Sequence, residues 1–396
     1  MVSVAEASSI VFSRLFKPAV ESVPFHDATN KVLAERILAD RDFPPLNRVS
    51  MDGIGISFKT WEEGRREFPI AGIQAAGVPQ QRLKNDHHCI EVMTGAVLPE
   101  GTDTVIPYEH IEIRDGSALI LKDIVKGQSI HGRGSDAKKE DVLLEPGTVL
   151  SPAEIALLAT VGKNNVKIFS FPRAAVISSG DELVTVETKP EAHQIRRSNT
   201  FALQAAMRTL GWDATLFHLP DNKDEMTVAM KEIGENFEVI ILSGGVSKGK
   251  YDYVPAVLEE TGVTKLFQGV NQRPGKPFWF GVSPRGTTVF ALPGNPVSTY
   301  MCFYRYIRPW LLKSMGVNSG FTNAILARDF SMKENLCYFL QVNVKNEEGK
   351  LMAFPAPGGG SGDLSNLKNV TGFLELPAAI SSFNKGDIYP YIPFRS

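Results

Sequence analysis

The segment Ser243-Gly244-Gly245-Val246-Ser247-Lys248-Gly249-Lys250-Tyr251-Asp252-Tyr253 concentrates residue types that can do chemistry. It directly follows Glu238–Leu242, an apolar run that reads as a buried strand. A strand, a double glycine and a downstream carboxylate are how open α/β sheets build anion and metal sites. The glycines admit an oxyanion close to backbone N–H groups, and the aspartate can hold a divalent cation. A Gly-Gly pair after a strand also serves as a plain tight turn.

Three further predicted strands end in similar chemistry. Ala174–Ser178 runs into Ser179-Gly180-Asp181-Glu182, and Ala214–Leu219 into Pro220-Asp221-Asn222. Thr288–Leu292 runs into Pro293-Gly294-Asn295-Pro296-Val297-Ser298. There Asn295 is suited to cap a helix and Pro296 to open it, which leaves N–H groups facing the loop. Each has a plainer reading: Asp221 as a helix cap, Asp181-Glu182 as a solvated turn, Pro-Gly-Asn-Pro as a rigid connection. Gathered at one sheet edge, the carboxylates suit Mg²⁺, and the helix terminus and glycine loop suit phosphate oxygens. Arg273-Pro274-Gly275-Lys276-Pro277 puts two cations on a Pro-Gly turn, either an oxyanion site or an exposed basic turn. Upstream lie Ser50-Met51-Asp52-Gly53 and Met93-Thr94-Gly95-Ala96. Asp52 and Thr94 reach a ligand only if their lobe meets a sheet edge, in the same subunit or a partner.

The elements that must position these residues follow from periodicity. Residues 3–17 space Val4, Ala7, Ile10, Val11 and Leu15 along one helical face, and residues 31–40 read as a second short helix. From Phe43 to about Lys138, short β-like runs (Ile54–Phe58, Cys89–Met93, Thr104–Pro107, Ile111–Ile113, Leu119–Lys122) alternate with turn residues. Ser151-Pro152-Ala153-Glu154 then carries a capping box and restarts a helix. Residues 173–314 alternate strand and helix, with further strands at Lys265–Val270 and Pro277–Val282. Helices are expected at Asn199–Leu210, Lys223–Glu235, Val254–Glu260 and Pro296–Met315. That is a βαβ pattern, hence a mostly parallel sheet covered on both faces. Beyond Gly316, β-like runs at Tyr338–Val344, Leu351–Phe354 and Gly372–Leu376 frame a Gly/Ser loop at Pro355–Gly362.

The expected fold class is therefore multidomain α/β. Its parts are an N-terminal helical domain (1–46 plus 138–170), an inserted β-rich lobe (47–137), a central α/β domain (171–317) and a small C-terminal β domain (318–396). Composition sets outer limits. The 396 residues are 43% hydrophobic and 22% charged, as in an ordinary globular protein. A net charge of -2 argues against nonspecific nucleic-acid binding. Cys89, Cys302 and Cys337 show no zinc spacing and read as reduced buried thiols. The start of the chain lacks a signal-peptide pattern, and no apolar run approaches the roughly 18 residues a membrane helix needs, so a cytoplasmic location is expected.

These motifs occur together in a known family. Ser50-Met51-Asp52-Gly53, Met93-Thr94-Gly95-Ala96, Ser179-Gly180-Asp181-Glu182-Leu183, Ser198-Asn199, Ser243-Gly244-Gly245-Val246-Ser247, Pro274-Gly275-Lys276-Pro277 and Leu292-Pro293-Gly294-Asn295-Pro296-Val297-Ser298 follow in that order. Over nearly its whole length the chain resembles the molybdopterin molybdenumtransferases, the MoeA and gephyrin E-domain family. The resemblance implies a four-domain elongated subunit with a molybdopterin-binding α/β sandwich and a small C-terminal β-barrel, and an obligate homodimer with sites at the dimer interface. It implies molybdate insertion into adenylylated molybdopterin, with Mg²⁺-assisted pyrophosphate cleavage and AMP release. Molybdopterin adenylyltransferase and apo-molybdoenzymes are the implied partners.

Carried over by position, Asp52, Thr94, Glu182, Asp221 and Asp252 match the family's functional acidic and hydroxyl residues. Glu182, Asp221 and Asp252 are assigned to Mg²⁺ and pyrophosphate. Ser179, Gly180, Asp181, Ser243, Gly244, Gly245, Ser247, Pro293, Gly294, Asn295 and Pro296 would cradle the pterin nucleotide. Arg273, Lys276, Ser298 and Ser361 would line the molybdate pocket. The family usually carries two lysines before Pro-Gly-Lys-Pro, where this chain has Gly269 and Arg273. The competing readings are adenylylation of molybdopterin by ATP, in a family with a related α/β domain, and a scaffold that kept the fold and binds a partner.

Overall fold

The computed structural model describes every residue except Ser247, Lys248, Lys250, Tyr251, Ser319, Glu334 and Ser396. The chain divides into two compact units. One holds Met1–Glu35, Pro146–Ile155 and Asn165–Ser396; the other holds Arg36–Glu145 and Ala156–Asn164.

In the first unit, six strands form one sheet: β1 Ala174–Ser179, β2 Ala214–Leu219, β3 Val239–Ser243, β4 Thr264–Gln268, β5 Trp279–Val282 and β6 Thr288–Leu292. Their order is β2-β1-β3-β6-β5-β4. The first four are mutually parallel, and β5 runs antiparallel to both its neighbours. Every residue of β1, β3 and β6 is buried, so these strands read as continuous apolar runs rather than alternating ones. Successive side chains feed two cores. Val176, Ile241 and Phe290 pack with Leu203 and Trp310 on one face. Ile177, Ile240 and Val289 pack with Met226 and Leu258 on the other.

Helices Asn199–Arg208, Lys223–Asn236 and Val254–Glu260 form where the sequence places them. The helix expected over Pro296–Met315 comes in three pieces: Pro296–Cys302, a π-helical turn Phe303–Ile307, and Arg308–Ser314. Pro309 has no N–H for the carbonyl four residues back, and the hydrogen-bond ladder slips just before it.

The N-terminal helix is Val4–Phe12, opened by a Ser3/Glu6 capping box. It is shorter than the expected 3–17, because the carbonyl of Arg14 leaves the helix to accept from Trp310 Nε1 at 2.8 Å. The helix expected at 31–40 does not form. Val32 and Leu33 bridge to Val149 and Ile168, and Ile37–Leu38 pairs with Val142–Leu144. These apolar residues fit either pattern, and long-range pairing wins. Val20–Pro24 also pairs antiparallel with Asn165–Phe169, so the segments expected to be helical mix helix and strand. The Ser151 capping box forms as expected, with Ser151 N donating to Glu154 Oε2 at 2.8 Å.

Five C-terminal strands close into a barrel: β7 Thr322–Leu326, β8 Cys337–Glu347, β9 Lys350–Pro355, β10 Gly372–Leu376 and β11 Ile388–Pro393. The ring runs β8-β9-β7-β11-β10 and returns to β8. Closure leaves no unpaired strand edge. Leu340, Val342, Leu374 and Leu376 fill its interior. Glu375 ion-pairs with the buried Arg305 of the π-helical turn, at 2.7 Å.

The second unit is built on a mixed sheet in the order Thr104–Pro107, Gly53–Ile56, Cys89–Val92, Glu67–Gln74, Ser117–Ile120, Ile111–Arg114. Ile54, Ile56, Phe68, Cys89 and Ile106 form its core. All three cysteines are free and buried. Burial pushes the thiols of Cys89 and Cys337 up to about 12 and that of Cys302 up as well, so all three stay protonated.

Candidate active site

The four strand ends singled out from sequence belong to four adjacent parallel strands, so all four open on the same edge. The chain leaves β1 for β2 on one side and then crosses to β3 on the other. Ligands of open α/β sheets bind at such a reversal point. A cleft of about 690 Å³ lies there, with Ser179, Gly180, Glu182, Asp221, Ser243, Gly244, Gly245, Asp252 and Pro293 to Pro296 among its lining residues. Ser247 lies outside the described residues.

Asn199 ties the cleft floor together. Its Nδ2 donates to Ser243 Oγ at 2.9 Å and to the Gly294 carbonyl at 2.6 Å. Thr299 Oγ1 donates to the Pro293 carbonyl at 2.6 Å, fixing the same loop from below. Gly245 has φ +67, and a Cβ there would lie 2.7 Å from Val254 and 2.9 Å from Ser179 Oγ. Only glycine lets the loop after β3 pass so close to the loop after β1.

The plain reading of Asp221 as a helix cap is excluded. Asn222 takes that role, its side chain accepting from Asp224 N and Glu225 N at 3.0 and 3.2 Å. Asp221 instead faces Asp181. Asp221 N donates to Asp181 Oδ1 at 3.1 Å, and Asp181 N donates to Asp221 Oδ2 at 3.4 Å. Partial burial pushes the Asp221 carboxyl above its usual range, and the nearby charges of Asp181 and Asp252 push the same way. Asp252 Oδ2 accepts from Gly249 N at 3.0 Å.

Partial burial and two like charges outweigh the opposing pull of His218, so the chemistry of this carboxylate fits a divalent cation. Among the described residues, no three His, Cys, Asp or Glu side chains close on one ion position. Mg²⁺ needs no such cage, because it keeps several waters and takes one or two carboxylates plus phosphate oxygens.

Two expected anion donors are already used. Gly244 N donates to the Leu292 carbonyl at 3.1 Å. Asn295 makes no side-chain cap on the helix Pro296–Cys302. Its amide donates to Ser361 Oγ at 2.8 Å, and Val297 N donates to the Ser361 carbonyl at 3.1 Å. Ser361 thus plugs the helix terminus that the sequence left open, and its neighbour Gly362 lines the cleft.

Arg273 and Lys276 are exposed on their turn and Ser298 is buried; none of the three lines the cleft, although Pro277 does. A fully buried glutamine holds this turn. Gln272 Nε2 donates to the Gly275 carbonyl at 3.0 Å, and Tyr306 donates to Gln272 Oε1. Asp52 and Thr94 belong to the second unit, at the same end of two paired strands. Asp52 Oδ1 accepts from both Thr94 N and Thr94 Oγ1, each at 2.6 Å. These bonds hold the exposed carboxyl below its usual range.

Comparison with known proteins gives this geometry a context. Family models for the MoeA N-terminal region (domain I and II), a "probable molybdopterin binding domain" and the MoeA C-terminal region (domain IV) match residues 2–162, 175–313 and 323–394. A molybdopterin molybdenumtransferase of Synechocystis is 38% identical over 396 residues, 99% of either chain. The chain belongs to the MoeA family. The Bacillus subtilis molybdopterin molybdenumtransferase is 32% identical over 380 residues, spanning 92% of this chain and 88% of its own. The crystal structure of a molybdopterin biosynthesis MoeA protein of Pyrococcus horikoshii is 25% identical and superposes with a TM-score of 0.86, covering 100% of both chains.

Against the MoeA pattern, Gly269 stands where a lysine is usual, and the backbone explains why lysine would not fit here. Its φ is +83, and a Cβ would lie 2.9 Å from Met1 Cγ. Its carbonyl accepts from Val2 N at 3.0 Å, and its own N–H donates to Phe278 O at 2.8 Å. In the sequence Asn199 stands only as part of a motif, with nothing to show its role. Arg196 and Arg197 also line the cleft and carry no expectation from the sequence. The signal available was two adjacent arginines just before a motif of the family; without the fold they read as solvated charge.

Proposed function

We propose that this protein inserts molybdate into adenylylated molybdopterin, cleaving the pyrophosphate bond and releasing AMP. The observation that carries the reading is the convergence of four adjacent strand ends, three of them carrying MoeA motifs, on one cleft, with burial and the charges of Asp181 and Asp252 holding the Asp221 carboxyl above its usual range. The glycine loop after β3 lets a ligand lie against the sheet edge, and Asn199 keeps the loops after β3 and β6 in register. Glu182, Asp221 and Asp252 would hold Mg²⁺ together with the pyrophosphate oxygens. When bound, the ion supplies charge neutralisation on the cleaved phosphate. The exposed cations of the Arg273–Lys276 turn would receive the molybdate oxyanion, together with Ser298 and Ser361.

The subunit is read as four domains (1–46 with 138–170, 47–137, 171–317, 318–396) and as a cytoplasmic homodimer in which Asp52 and Thr94 complete a site. Molybdopterin adenylyltransferase and apo-molybdoenzymes would act before and after it. The test is AMP release from adenylylated molybdopterin by the purified protein with Mg²⁺, with and without molybdate. Molybdate-dependent AMP release with molybdenum-bound pterin is the expected result. Tight binding without turnover would point to a scaffold, and consumption of ATP in the presence of molybdopterin to the adenylylation step.

A further inference from the structure

The cleft presents an electrostatic problem. Glu182, Asp221 and Asp252 line it, so its acidic side is rich in negative charge. Two of the donors expected to receive an anion, Gly244 N and Val297 N, are bonded to carbonyls within the protein. Yet the proposed substrate carries a pyrophosphate. Among the described lining residues, the cations are Arg196 and Arg197. The basic turn of Arg273 and Lys276 does not line the cleft.

The two arginines are not equivalent. They lie on a small overhang where Leu183–Val184 pairs parallel with Ile195–Arg196. Arg196 Nε donates to the Thr188 carbonyl at 3.0 Å, which anchors its guanidinium to the overhang. Arg197 is anchored through its backbone instead, its N–H donating to the Val184 carbonyl at 3.0 Å. Its side chain is half-buried, and its Nε is fully shielded from solvent without a hydrogen-bond partner. A ligand in the cleft cannot reach that shielded nitrogen, so any contact falls to the rest of the side chain, which lines the cleft.

His218 locates the charge further. Its Nδ1 is 3.0 Å from Ser178 Oγ, on the β1–β2 side of the cleft. Burial first, and the Arg197 charge second, push the imidazole below its usual range. Arg197 therefore sits on the same side of the cleft as β1 and β2, whose ends carry Asp181 and Asp221.

We propose that Arg197 is the phosphate-binding cation of this cleft, its guanidinium donating to a phosphoryl oxygen of the bound substrate. A guanidinium matches phosphate geometry with two parallel N–H donors, which lysine cannot supply. Cation and anion then alternate across the site: arginine, phosphate, divalent ion, carboxylate. The assignment rests on the function proposed above for the identity of the substrate, but its own content is a phosphate contact. Molybdate is the other tetrahedral oxyanion in play, and the experiment separates the two.

The full-length protein is titrated calorimetrically with inorganic pyrophosphate, AMP and sodium molybdate, each with Mg²⁺, as wild type, Arg197→Gln and Arg197→Lys. Arg197→Gln is expected to weaken pyrophosphate and AMP binding by about tenfold or more, the scale of one charged hydrogen bond. Arg197→Lys should fall between, and molybdate affinity should stay within about twofold in all three. Unchanged thermal midpoints, with partial rescue by lysine, separate this role from a structural one. Pyrophosphate binding equal in wild type and Arg197→Gln, parallel loss of molybdate binding, or no pyrophosphate binding by wild type overturns it. Arginine-dependent pyrophosphate binding without AMP release from adenylylated molybdopterin would leave this inference standing and sink the proposed function.

Discussion

Asp221 and Asp52 are both aspartates at the end of a strand, and their surroundings are opposite. Asp52 is fully exposed, and two donors of Thr94 converge on one of its oxygens. Asp221 is partly buried, receives one weak backbone donor at 3.4 Å and faces two like charges. The first carboxylate is satisfied by the protein and sits below its usual titration range; the second is left wanting and sits above it. Sequence alone gives both the same letter. The contrast teaches that two aspartates alike in sequence differ in what the fold supplies to each, and the one with fewer donors is the better candidate for a cation.

The comparison breaks most visibly in turnover. Asp221→Asn should reduce AMP release by roughly a hundredfold, whereas Asp52→Asn, which keeps an acceptor for Thr94, should cost about tenfold or less. Equal losses would end the distinction. Asn199→Ala removes bonds to Ser243 and Gly294, and should destabilise the first unit by about 1–3 kcal/mol in denaturant melts. No matching loss should follow Thr94→Ala, whose hydroxyl is bonded on the exposed surface of the second unit. Gly269→Lys, remote from both aspartates in sequence, sets the scale for a pure backbone effect. Its φ of +83 and the nearby Met1 predict a loss of about 1–3 kcal/mol rather than a gain in activity.

Ligand linkage sharpens the contrast. Mg²⁺ should raise the thermal midpoint of wild type and of Asp52→Asn but not of Asp221→Asn. The smallest effect is in proton linkage, and its sign differs between the two residues. The raised carboxyl of Asp221 contributes stability at acid pH that is lost as pH rises through its elevated value. The lowered carboxyl of Asp52 contributes stability above the ordinary aspartate range, lost as pH falls through its depressed value. In metal-free protein, the differences in midpoint between each asparagine variant and wild type should therefore run in opposite directions with pH. Parallel curves would show that the two environments are alike.

Much of the frame is legible in the residues because period and punctuation agree. The buried runs of β1, β3 and β6 are too short for helices and are followed by glycine or proline. The Ser151 box marks a helix start by a hydrogen bond made within four residues, whereas at the next-but-one helix the cap falls on Asn222 rather than on Asp221, the residue the sequence suggested. Where pairing is long-range, local pattern fails: Val32 and Leu33 pair with residues more than a hundred positions away, and nothing near them announces it. Glu67–Gln74, Thr322–Leu326 and Ile388–Pro393 escaped notice because proline or mixed polarity interrupts their alternation. In the site, residue types were readable and donor allegiance was not. Which N–H groups Ser361 and Leu292 consume is decided by loops meeting in space.

The first unit is discontinuous along the chain, and this has a bearing on how the protein is made. Val2 bonds to Gly269, and the carbonyl of Arg14 accepts from Trp310. At about 5–20 residues per second of synthesis, the opening residues leave the ribosome roughly 15–60 s before those partners exist. Arg36–Glu145, nearly all of the second unit, emerges in one uninterrupted run. The amino terminus must therefore wait, unpaired, while the chain behind it is translated. A chaperone that shields the first helix during that interval would protect the segment whose partners emerge latest among those described above.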